Sequence, residues 1–229
     1  MMNIIITGSS RGIGLELMKL FCKEKNNYVI GISRSVNNNE SIIEIGENTK
    51  CISLQYDISS IDNSFSKQIE THIKSVDILI NNAGYLVNKP ILELSDNDFD
   101  MMFNINVKAI FKITQQLLPL FSVNAHILNI SSMGGFQGSS KFNGLSLYSA
   151  SKGALNTLTE CLAEELKEKN IRVNSLSLGS VNTEMLRKAF PDYQATTEAS
   201  EMAVFIKQFA ETAHHHMNGK IIPVSNSTP

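Results

Sequence analysis

The stretch Thr7-Gly8-Ser9-Ser10-Arg11-Gly12-Ile13-Gly14 decides the fold of this chain. It follows the apolar run Ile4-Ile5-Ile6 and leads into apolar residues at helical spacing, among them Leu17 and Phe21. This order predicts a strand, a tight turn and a helix. Backbone N–H groups and the positive end of the helix dipole would then form a cradle for a phosphate. Taken alone, the stretch also fits a glycine turn that binds nothing.

The three glycines of this turn have separate predicted roles. Gly8 permits the sharp turn, Gly12 lets the backbone approach a pyrophosphate, and Gly14 lets the helix pack closely on the strand. The spacing G-x-x-x-G-x-G differs from the G-x-G-x-x-G of the general dinucleotide fingerprint. The candidate nucleotide contacts in the turn are Gly8, Ser10, Arg11, Gly12, Ile13 and Gly14.

Apolar runs alternate with helical patterns along the rest of the chain. Strands are predicted at Asn3–Thr7, Tyr28–Ser33, Lys50–Tyr56, Asp77–Asn81, Ala125–Ser131, Arg172–Ser177 and Lys220–Val224. Helices are predicted near Gly12–Lys25, Ile61–Ser75, Asp96–Phe121, Tyr148–Lys169 and Glu198–Thr212. The alternation predicts an α/β fold, a doubly wound parallel sheet of the Rossmann type with helices on both faces. Right-handed crossovers give the strand order 3-2-1-4-5-6, extended by the last strand. We expect one domain over residues 1–229, because no linker or repeat interrupts the pattern.

The composition and charge of the chain argue against several classes of function. A net charge of −2 favours neither nucleic acid nor an anionic membrane, and no apolar run reaches the roughly 18 residues of a membrane span. Cys22, Cys51 and Cys161 are odd in number and far apart, so we expect no disulfide, as in a reducing cytosol. The chain enters a strand at once without a signal peptide, so a cytoplasmic location is the default. His214-His215-His216 indicates a solvated turn rather than a metal site.

In a sheet of this kind the ligand lies beyond the carboxyl ends of the strands. Ser33 and Arg34 follow the second strand, where an NAD site would need a carboxylate for the ribose 2′-hydroxyl. No acid stands there, and the guanidinium groups of Arg34 and Arg11 would instead pair with a 2′-phosphate. This favours NADP(H) over NAD(H), unless both arginines are ordinary surface residues.

Two further strand ends carry candidate nucleotide contacts. After the third strand, Asp57 can accept a hydrogen bond from the adenine amino group and Ile58 can offer its backbone; an ordinary helix cap is the alternative. After the fourth strand, the small and amide residues of Asn81-Asn82-Ala83-Gly84 would let the chain pass close to a ribose, although a plain turn has the same composition. The candidate contacts in that stretch are Asn81, Ala83 and Gly84.

The stretch Tyr148-Ser149-Ala150-Ser151-Lys152 begins a long helical pattern. Its i, i+4 spacing puts the Tyr148 hydroxyl and the Lys152 ammonium on one helix face. Such a pair is common by chance. Its companions, in chain order, are the glycine turn, Asn81–Gly84, Asn106 and Ser131-Ser132. With these motifs in this order, nearly the whole chain resembles a short-chain dehydrogenase/reductase of the single-domain branch.

The resemblance implies an oxidoreductase that transfers a hydride between NADP(H) and a small carbonyl or secondary-alcohol substrate. Tyr148 would be the general acid and base, and Ser132 would orient the substrate oxygen. Lys152 would hold the nicotinamide ribose and, together with the charge of the oxidised nicotinamide, would lower the pKa of Tyr148. Asn106 would hold a water that links Lys152 to solvent.

The resemblance also gives roles to the segment after the sixth strand. Val181 would offer its backbone to the nicotinamide carboxamide, and Thr183 would bond the amide or a phosphate. Here Leu178 precedes Gly179 where the family usually has proline, which predicts a less rigid loop.

Two segments near the predicted substrate side leave alternatives open. Residues 133–147 make the interval from Ser132 to Tyr148 longer than is usual in the family, and either reshape the pocket or form a neutral surface insertion. In the segment 184–200, where the family carries a substrate lid, the apolar residues either form a lid or pack a helix pair. Those residues are Met185, Leu186, Phe190 and Tyr193.

Two other function classes fit the motifs of this chain less well than a reductase does. A non-catalytic NADP-binding sensor or scaffold would commonly lack the tyrosine or the lysine, and both are present. A sugar-nucleotide epimerase of the longer branch would need a larger C-terminal region than this chain has before Pro229. We expect no nucleic-acid or membrane partner.

The long helices 96–121 and 148–169 predict a homodimer or homotetramer. They carry apolar residues beyond one face, and the extra face must be buried. The residues in question are Ile110, Phe111, Leu155, Leu158 and Leu162.

Overall fold

The computed structural model describes residues 2–35 and 50–226, which form a parallel sheet flanked by helices. The strands are β1 Asn3–Thr7, β2 Tyr28–Ser33, β3 Lys50–Gln55, β4 Val76–Asn81, β5 Phe121–Ser132, β6 Arg172–Leu178, β7 Val181–Asn182, β8 Thr197–Glu198 and β9 Ile221–Val224. The main sheet has the order β3-β2-β1-β4-β5-β6-β9, and every neighbouring pair is parallel. This confirms the predicted doubly wound order and its extension by the last strand. The short strands β7 and β8 pair separately.

Six of the seven helices in the described part of the chain lie where a helix was predicted but differ in extent, and α6 was not among the predicted helices. The seven helices are α1 Gly12–Cys22, α2 Ser64–Glu70, α3 Asp96–Phe103, α4 Ala109–Leu117, α5 Ser146–Glu165, α6 Glu184–Ala189 and α7 Ala199–Thr212. The predicted helix over residues 96–121 is interrupted by a π-helical turn, Asn104–Lys108. It ends in a 3₁₀ turn that contains Pro119, because proline cannot continue the α-helical hydrogen bonds. Phe121 already belongs to β5.

Hydrophobic side chains cover both faces of the sheet. Ile5 of β1 lies opposite Ile30 of β2 and Leu79 of β4, and all three point into a core shared with α2, α4 and α5. Its neighbours Ile4 and Ile6 point to the other face, toward α1 and α7. Strands buried on both faces need apolar residues at every position, which is why these runs showed no alternation.

Cys22 and Cys51 form a disulfide, so the expectation of no disulfide is wrong. Cys22 is the last residue of α1 and Cys51 lies in β3 at the sheet edge, with their Cα atoms 6.0 Å apart. Their separation of 29 residues along the chain gave no sign of this proximity, which arises only when α1 packs on the sheet. The bond removes the cysteines as an argument for a reducing compartment. The cytoplasmic location stays a prediction.

The turn after β1 is packed against the turn after β4. Gly8 has a φ of +71°, and a Cβ there would lie 2.8 Å from the Cα of Ala83. A Cβ on Gly14 would lie 2.2 Å from the carbonyl oxygen of Gly8 and 2.6 Å from Nδ2 of Asn82. Neither position has room for a side chain, since real Cβ atoms do not come this close to backbone. Gly14 therefore packs on the turn itself and on Asn82 rather than on the strand.

Hydrogen bonds join the same two turns. Asn82 Nδ2 donates to the carbonyl oxygens of Thr7 and Gly8, at 3.0 and 3.2 Å. Thr7 Oγ1 accepts from the backbone N–H groups of Asn82 and Ala83, at 3.1 and 3.0 Å. The loops that follow β1 and β4 are thus held together at the carboxyl edge of the sheet.

His126 is completely buried in β5. Its Nδ1 lies 2.8 Å from the carbonyl oxygen of Ala210, and its Nε2 lies 3.1 Å from Nδ2 of Asn174. The Asn174 amide is oriented by its Oδ1, which accepts from the backbone N–H of Lys220. Asn174 therefore presents a donor to Nε2, and only the neutral ring with its proton on Nδ1 satisfies both neighbours. Burial lowers the pKa of His126 to about 4, and the nearby histidines act in the same direction.

We expect the fold to lose stability on acidification because of His126. In the unfolded chain its pKa is about 6.5, so the unfolded state binds the proton first as the pH falls. The contribution of neutral His126 to the free energy of unfolding is complete above pH 6.5 and is lost progressively toward pH 4. Between pH 7.5 and 5 the free energy of unfolding should fall by about 2 kcal/mol. Urea unfolding at the two pH values measures it. His126→Phe should flatten this dependence and His72→Gln, at an exposed histidine, should not; an unchanged slope in His126→Phe would contradict the assignment.

We expect Gly14→Ala to lower the free energy of unfolding by about 1–3 kcal/mol, because the new methyl group overpacks the turn against backbone. Urea denaturation followed by circular dichroism measures the change. Gly153→Ala is the matched control: the nearest atom to its Cβ would be a carbonyl oxygen at 3.6 Å, an ordinary contact. Alanine in the α5 interior should leave stability equal or up to about 1 kcal/mol higher. Equal stability of the two variants would refute the packing argument.

Candidate active site

A cleft of about 850 Å³ opens at the carboxyl edge of the main sheet. It is lined by residues from the turns that follow β1 to β6, as expected for a sheet of this topology. Of the predicted site residues it brings together Gly8, Ser10, Arg11, Gly12, Ile13, Ser33, Arg34, Asp57, Ile58, Ala83, Gly84, Ser132, Tyr148, Lys152, Val181 and Thr183. Their individual roles stay predictions. Gly14, Asn81 and Asn106 do not line the cleft.

Asn81 has a structural role through its side chain, and its nucleotide contact stays a prediction. Its side chain is completely buried, and its Nδ2 donates to Oδ1 of Asn129 in the adjacent strand at 2.9 Å. Asn129 Nδ2 donates in turn to Oγ1 of Thr159 in α5, at 2.9 Å. This row of amide and hydroxyl groups links β4, β5 and α5 beneath the cleft.

Asn106 lies in the π-helical turn with a fully buried side chain. Its Nδ2 donates to the carbonyl oxygen of Tyr85 and to Oγ of Ser151, both at 2.9 Å, and its Oδ1 accepts from the backbone N–H of Tyr85 at 2.8 Å. Both Nδ2 hydrogens and one lone pair of Oδ1 are thus engaged, and the water on Asn106 stays a prediction. These bonds tie the segment after β4 to α5. A π-helical turn of this kind is frequent at functional sites.

Lys152 is buried one helical turn after Tyr148 on α5. Its Nζ donates to the carbonyl oxygen of Ile130 at 2.7 Å and lies 6.0 Å from the centre of the Tyr148 ring. Burial lowers the pKa of Lys152 to about 8. The ammonium is thus held by a backbone carbonyl and has partly lost its preference for the charged state.

Burial raises the pKa of Tyr148 above its ordinary value, while a hydrogen bond with Ser132 acts in the opposite direction. This contradicts the predicted lowering for the protein alone, because desolvation of the phenolate outweighs the hydrogen bond with Ser132. The hydrogen bond places the Tyr148 and Ser132 hydroxyl groups next to each other. Ser132 also accepts from the backbone N–H of Gly134 at 3.2 Å.

Asp57 caps the 3₁₀ turn Ile58–Ser60, which is the alternative that the sequence left open. Its Oδ1 accepts from the backbone N–H of Ser59 at 2.9 Å and from the Ser59 hydroxyl at 2.8 Å. Asp57 and Ile58 also line the cleft. Asp57 therefore caps the turn and also lines the cleft, so the helix-cap interpretation is compatible with the predicted adenine contact.

Arg11 forms an ion pair that crosses the cleft. Its NH1 lies 3.0 Å from Oε1 of Glu184, which also lies 2.8 Å from Nζ of Lys188. The Lys188 hydrogen bond and the Arg11 charge lower the pKa of Glu184. Arg11 is thus engaged on the α6 side of the cleft, whereas Arg34 stands exposed at the end of β2.

One part of the lining of the cleft consists of apolar side chains from three segments of the chain. We call it the apolar chamber, formed by Leu86, Met133, Phe142, Leu145, Met185, Leu186, Phe190 and Tyr193. It includes all four residues of the predicted lid and three from the long loop after Ser132. Both segments therefore line the pocket. Leu86 was missed because nothing in the sequence separates it from an ordinary turn residue.

Three segments of the chamber wall are tied together at Asn88 and Lys89. Asn88 Nδ2 donates to the carbonyl oxygen of Ala189 at the end of α6, at 2.7 Å. Gly144 of the long loop has a φ of +82°, which favours glycine, and its carbonyl oxygen accepts from the backbone N–H of Lys89, the residue after Asn88, at 3.1 Å. At the far end of the lid, the hydroxyl groups of Ser180 and Tyr193 lie 2.8 Å apart.

The segment after β6 is fixed although Leu178 replaces proline. Leu178 pairs with Val224 within the sheet, and Val181 pairs with Thr197. Thr183 Oγ1 accepts from the backbone N–H of Leu186 at 3.3 Å and caps α6.

Over residues 2–35 and 50–226, no group of three or more His, Cys, Asp or Glu side chains is arranged to hold a metal ion. In the same part of the chain, no helix combines the length and apolar character needed to span a membrane.

Comparison with known proteins identifies the family. Residues 2–194 match the family of short chain dehydrogenases. The chain is 28% identical to the 3-oxoacyl-acyl-carrier-protein reductase of Thermotoga maritima, over 96% of this chain and 94% of that one. It is 30% identical to cyclopentanol dehydrogenase of Comamonas testosteroni, over 81% and 75% of the two chains. The solved structure of 4-hydroxyisoleucine dehydrogenase complexed with NADH superposes with a TM-score of 0.82 at 26% identity, covering 99% and 98%. The chain belongs to the short-chain dehydrogenase family, whose members are oxidoreductases that bind a nicotinamide cofactor.

Proposed function

We propose that the protein transfers a hydride between NADP(H) and a carbonyl or secondary-alcohol substrate, with Tyr148 as general acid and base. The observation that carries this proposal is the meeting of Ser132, Tyr148 and Lys152 in the cleft that begins at the glycine turn. In this proposal, one domain holds both the nucleotide and the substrate.

The cleft has the features that a dinucleotide needs. Gly12 has a φ of +55°, and a Cβ there would point across the cleft to Thr183 at 3.5 Å. A Cβ on Gly84 would approach Nζ of Lys152 at 3.7 Å. Glycine on both sides thus keeps open the groove in which backbone must approach the ligand.

Each polar side chain has one task in the proposed reaction. The bound nicotinamide would supply or accept the hydride. Tyr148 donates its proton to the substrate oxygen during reduction, and the adjacent Ser132 hydroxyl orients that oxygen. The raised pKa of Tyr148 keeps the phenol protonated at neutral pH, which suits a proton donor. Lys152, held by the Ile130 carbonyl, stabilises the phenolate that remains.

NADP(H) is proposed over NAD(H) because of the charges near the end of β2. Arg34 lines the cleft there with Ser33 and Ser35. Among the described cleft residues the carboxylates are Asp57 and Glu184, and both are engaged, with Ser59 and with Arg11 and Lys188. A ribose 2′-phosphate would meet a cation rather than a carboxylate. The likeness to an NADH-bound dehydrogenase makes the direct comparison of the two nucleotides the decisive experiment.

A homodimer or homotetramer through α3, α4 and α5 is also proposed. Ile110, Leu155 and Leu162 are buried within the chain and no longer support it. Phe99 and Phe111 remain 48% and 41% exposed. Phe111 lines an apolar groove with Phe103, Val107 and Leu158, which a second subunit would cover.

We expect Tyr148→Phe to lose at least about 100-fold in kcat for ketone reduction, because no group of the protein then donates the proton. NADPH binding, measured by fluorescence titration, should be retained. Tyr193→Phe is the control: it removes a hydroxyl that bonds to Ser180 in the same cleft and should cost less than about tenfold. Equal losses in the two variants would remove Tyr148 from the chemistry. A wild-type protein that binds NADPH and reduces no ketone would favour the sensor or scaffold class.

We expect Arg34→Ala to weaken NADPH binding by about tenfold or more and to leave NADH binding unchanged, since only NADPH carries the 2′-phosphate. Fluorescence titration of both nucleotides with both proteins measures this. Parallel changes for the two nucleotides, or tighter NADH binding by the parent protein, would contradict the assignment of Arg34.

We expect sedimentation velocity at micromolar concentration to give a dimer or tetramer. Phe111→Glu should shift the distribution toward monomer, because a buried carboxylate without a partner is unfavourable. Val123→Glu, at an exposed apolar residue outside α3, α4 and α5, should leave the distribution unchanged. A monomeric parent protein would refute this assembly.

A further inference from the structure

The charged side chains among the described residues of the cleft are Arg11, Arg34, Asp57, Lys152 and Glu184. Arg11 and Glu184 pair with each other across the cleft, and Arg34 and Asp57 lie beyond β2 and β3. Lys152 is buried below Tyr148 and donates to a backbone carbonyl. None of the eight chamber residues carries a charge.

The one hydroxyl group among the eight chamber side chains, on Tyr193, already has a partner. The Tyr193 hydroxyl lies 2.8 Å from that of Ser180, which leaves Tyr148 and Ser132 as the groups that face a substrate oxygen. The walls are also held in place, since Asn88 bonds to the end of the lid helix and the next residue, Lys89, bonds to Gly144 of the long loop. A carboxylate, phosphate or ammonium group packed against these eight side chains would lose its hydration without gaining a counter-charge from them.

We infer that the substrate is an uncharged ketone, or the corresponding secondary alcohol, with apolar substituents on the carbonyl carbon. This inference rests on the proposed function and adds the substrate class. In the reduction, the carbonyl carbon accepts the hydride of NADPH and the oxygen accepts the proton of Tyr148, so that the C=O bond becomes CH–OH and NADPH becomes NADP⁺. The apolar substituents pack against the chamber, which selects them by the hydrophobic effect.

The test compares two ketones of the same skeleton, ethyl 4-oxocyclohexanecarboxylate and 4-oxocyclohexanecarboxylate, with NADPH at pH 7.5. The uncharged ester should have a kcat/KM about tenfold or more above that of the carboxylate. The binding readout uses the inactive Tyr148→Phe variant with NADPH, in which each ketone is titrated by the change in NADPH fluorescence. The ester should also bind to this variant more tightly than the carboxylate does, by about tenfold or more. Equal or better use of the carboxylate would overturn the inference and leave the proposed function intact.

A second experiment places a charged side chain in the apolar chamber. Leu186→Lys should shift the ratio of the two kcat/KM values toward the carboxylate by about tenfold, because the substrate then meets a counter-charge. Val123→Lys adds the same charge on an exposed strand residue away from the cleft and should leave the ratio unchanged. An unchanged ratio in Leu186→Lys would show that the chamber does not hold the substrate. Absence of turnover by the parent protein with both compounds and with a wider set of neutral and charged ketones would overturn the proposed function itself.

Discussion

The close approach of the turn after β1 to the turn after β4 is the constraint on which the rest of the structure depends. Two glycines leave no space for a side chain between these turns, and one asparagine side chain bridges them. The first turn opens α1, and the second leads to the segment that Asn106 ties to α5. The nucleotide groove and the helix that carries Tyr148 therefore have a common reference point. A shift of either turn would change the distance between them.

Besides its apolar packing, α5 is joined to its neighbours by hydrogen bonds of neutral amide and hydroxyl groups. The buried row from Asn81 through Asn129 to Thr159 joins it to the sheet, and Asn106 joins it through Ser151. Neutral amide and hydroxyl groups keep these bonds across the physiological range of pH and salt, whereas exposed ion pairs weaken as salt rises. The one buried ammonium among these α5 contacts, on Lys152, is thereby free of a structural ion pair.

Most of the fold, and most of the residues that line the cleft, were predictable from the sequence, because both follow from local sequence patterns. Ile4-Ile5-Ile6 and the glycine turn specify a strand and a helix by composition alone, and parallel topology then gathers the strand ends at one edge. The proximity of Cys22 to Cys51 depends on how a helix packs on a distant strand, so no local pattern contains it. The buried hydrogen bonds of Asn81 and Asn106 were not predicted for the same reason, because their partners are distant in the sequence. The pKa of Tyr148 depends on the degree of burial, which sequence spacing does not give.

Asn88 has a consequence for how this site can change during evolution. Its amide nitrogen bonds to the end of the lid helix, and the backbone N–H of the next residue, Lys89, bonds to Gly144 of the long loop, so the two walls are fixed to the same short segment. An insertion or deletion in residues 133–147 would be transmitted to the lid, and new pocket shapes would require paired changes in both segments. Point substitutions of the side chains that line the walls carry no such penalty. Diversification of this pocket is therefore open to side-chain exchange and resistant to changes in loop length.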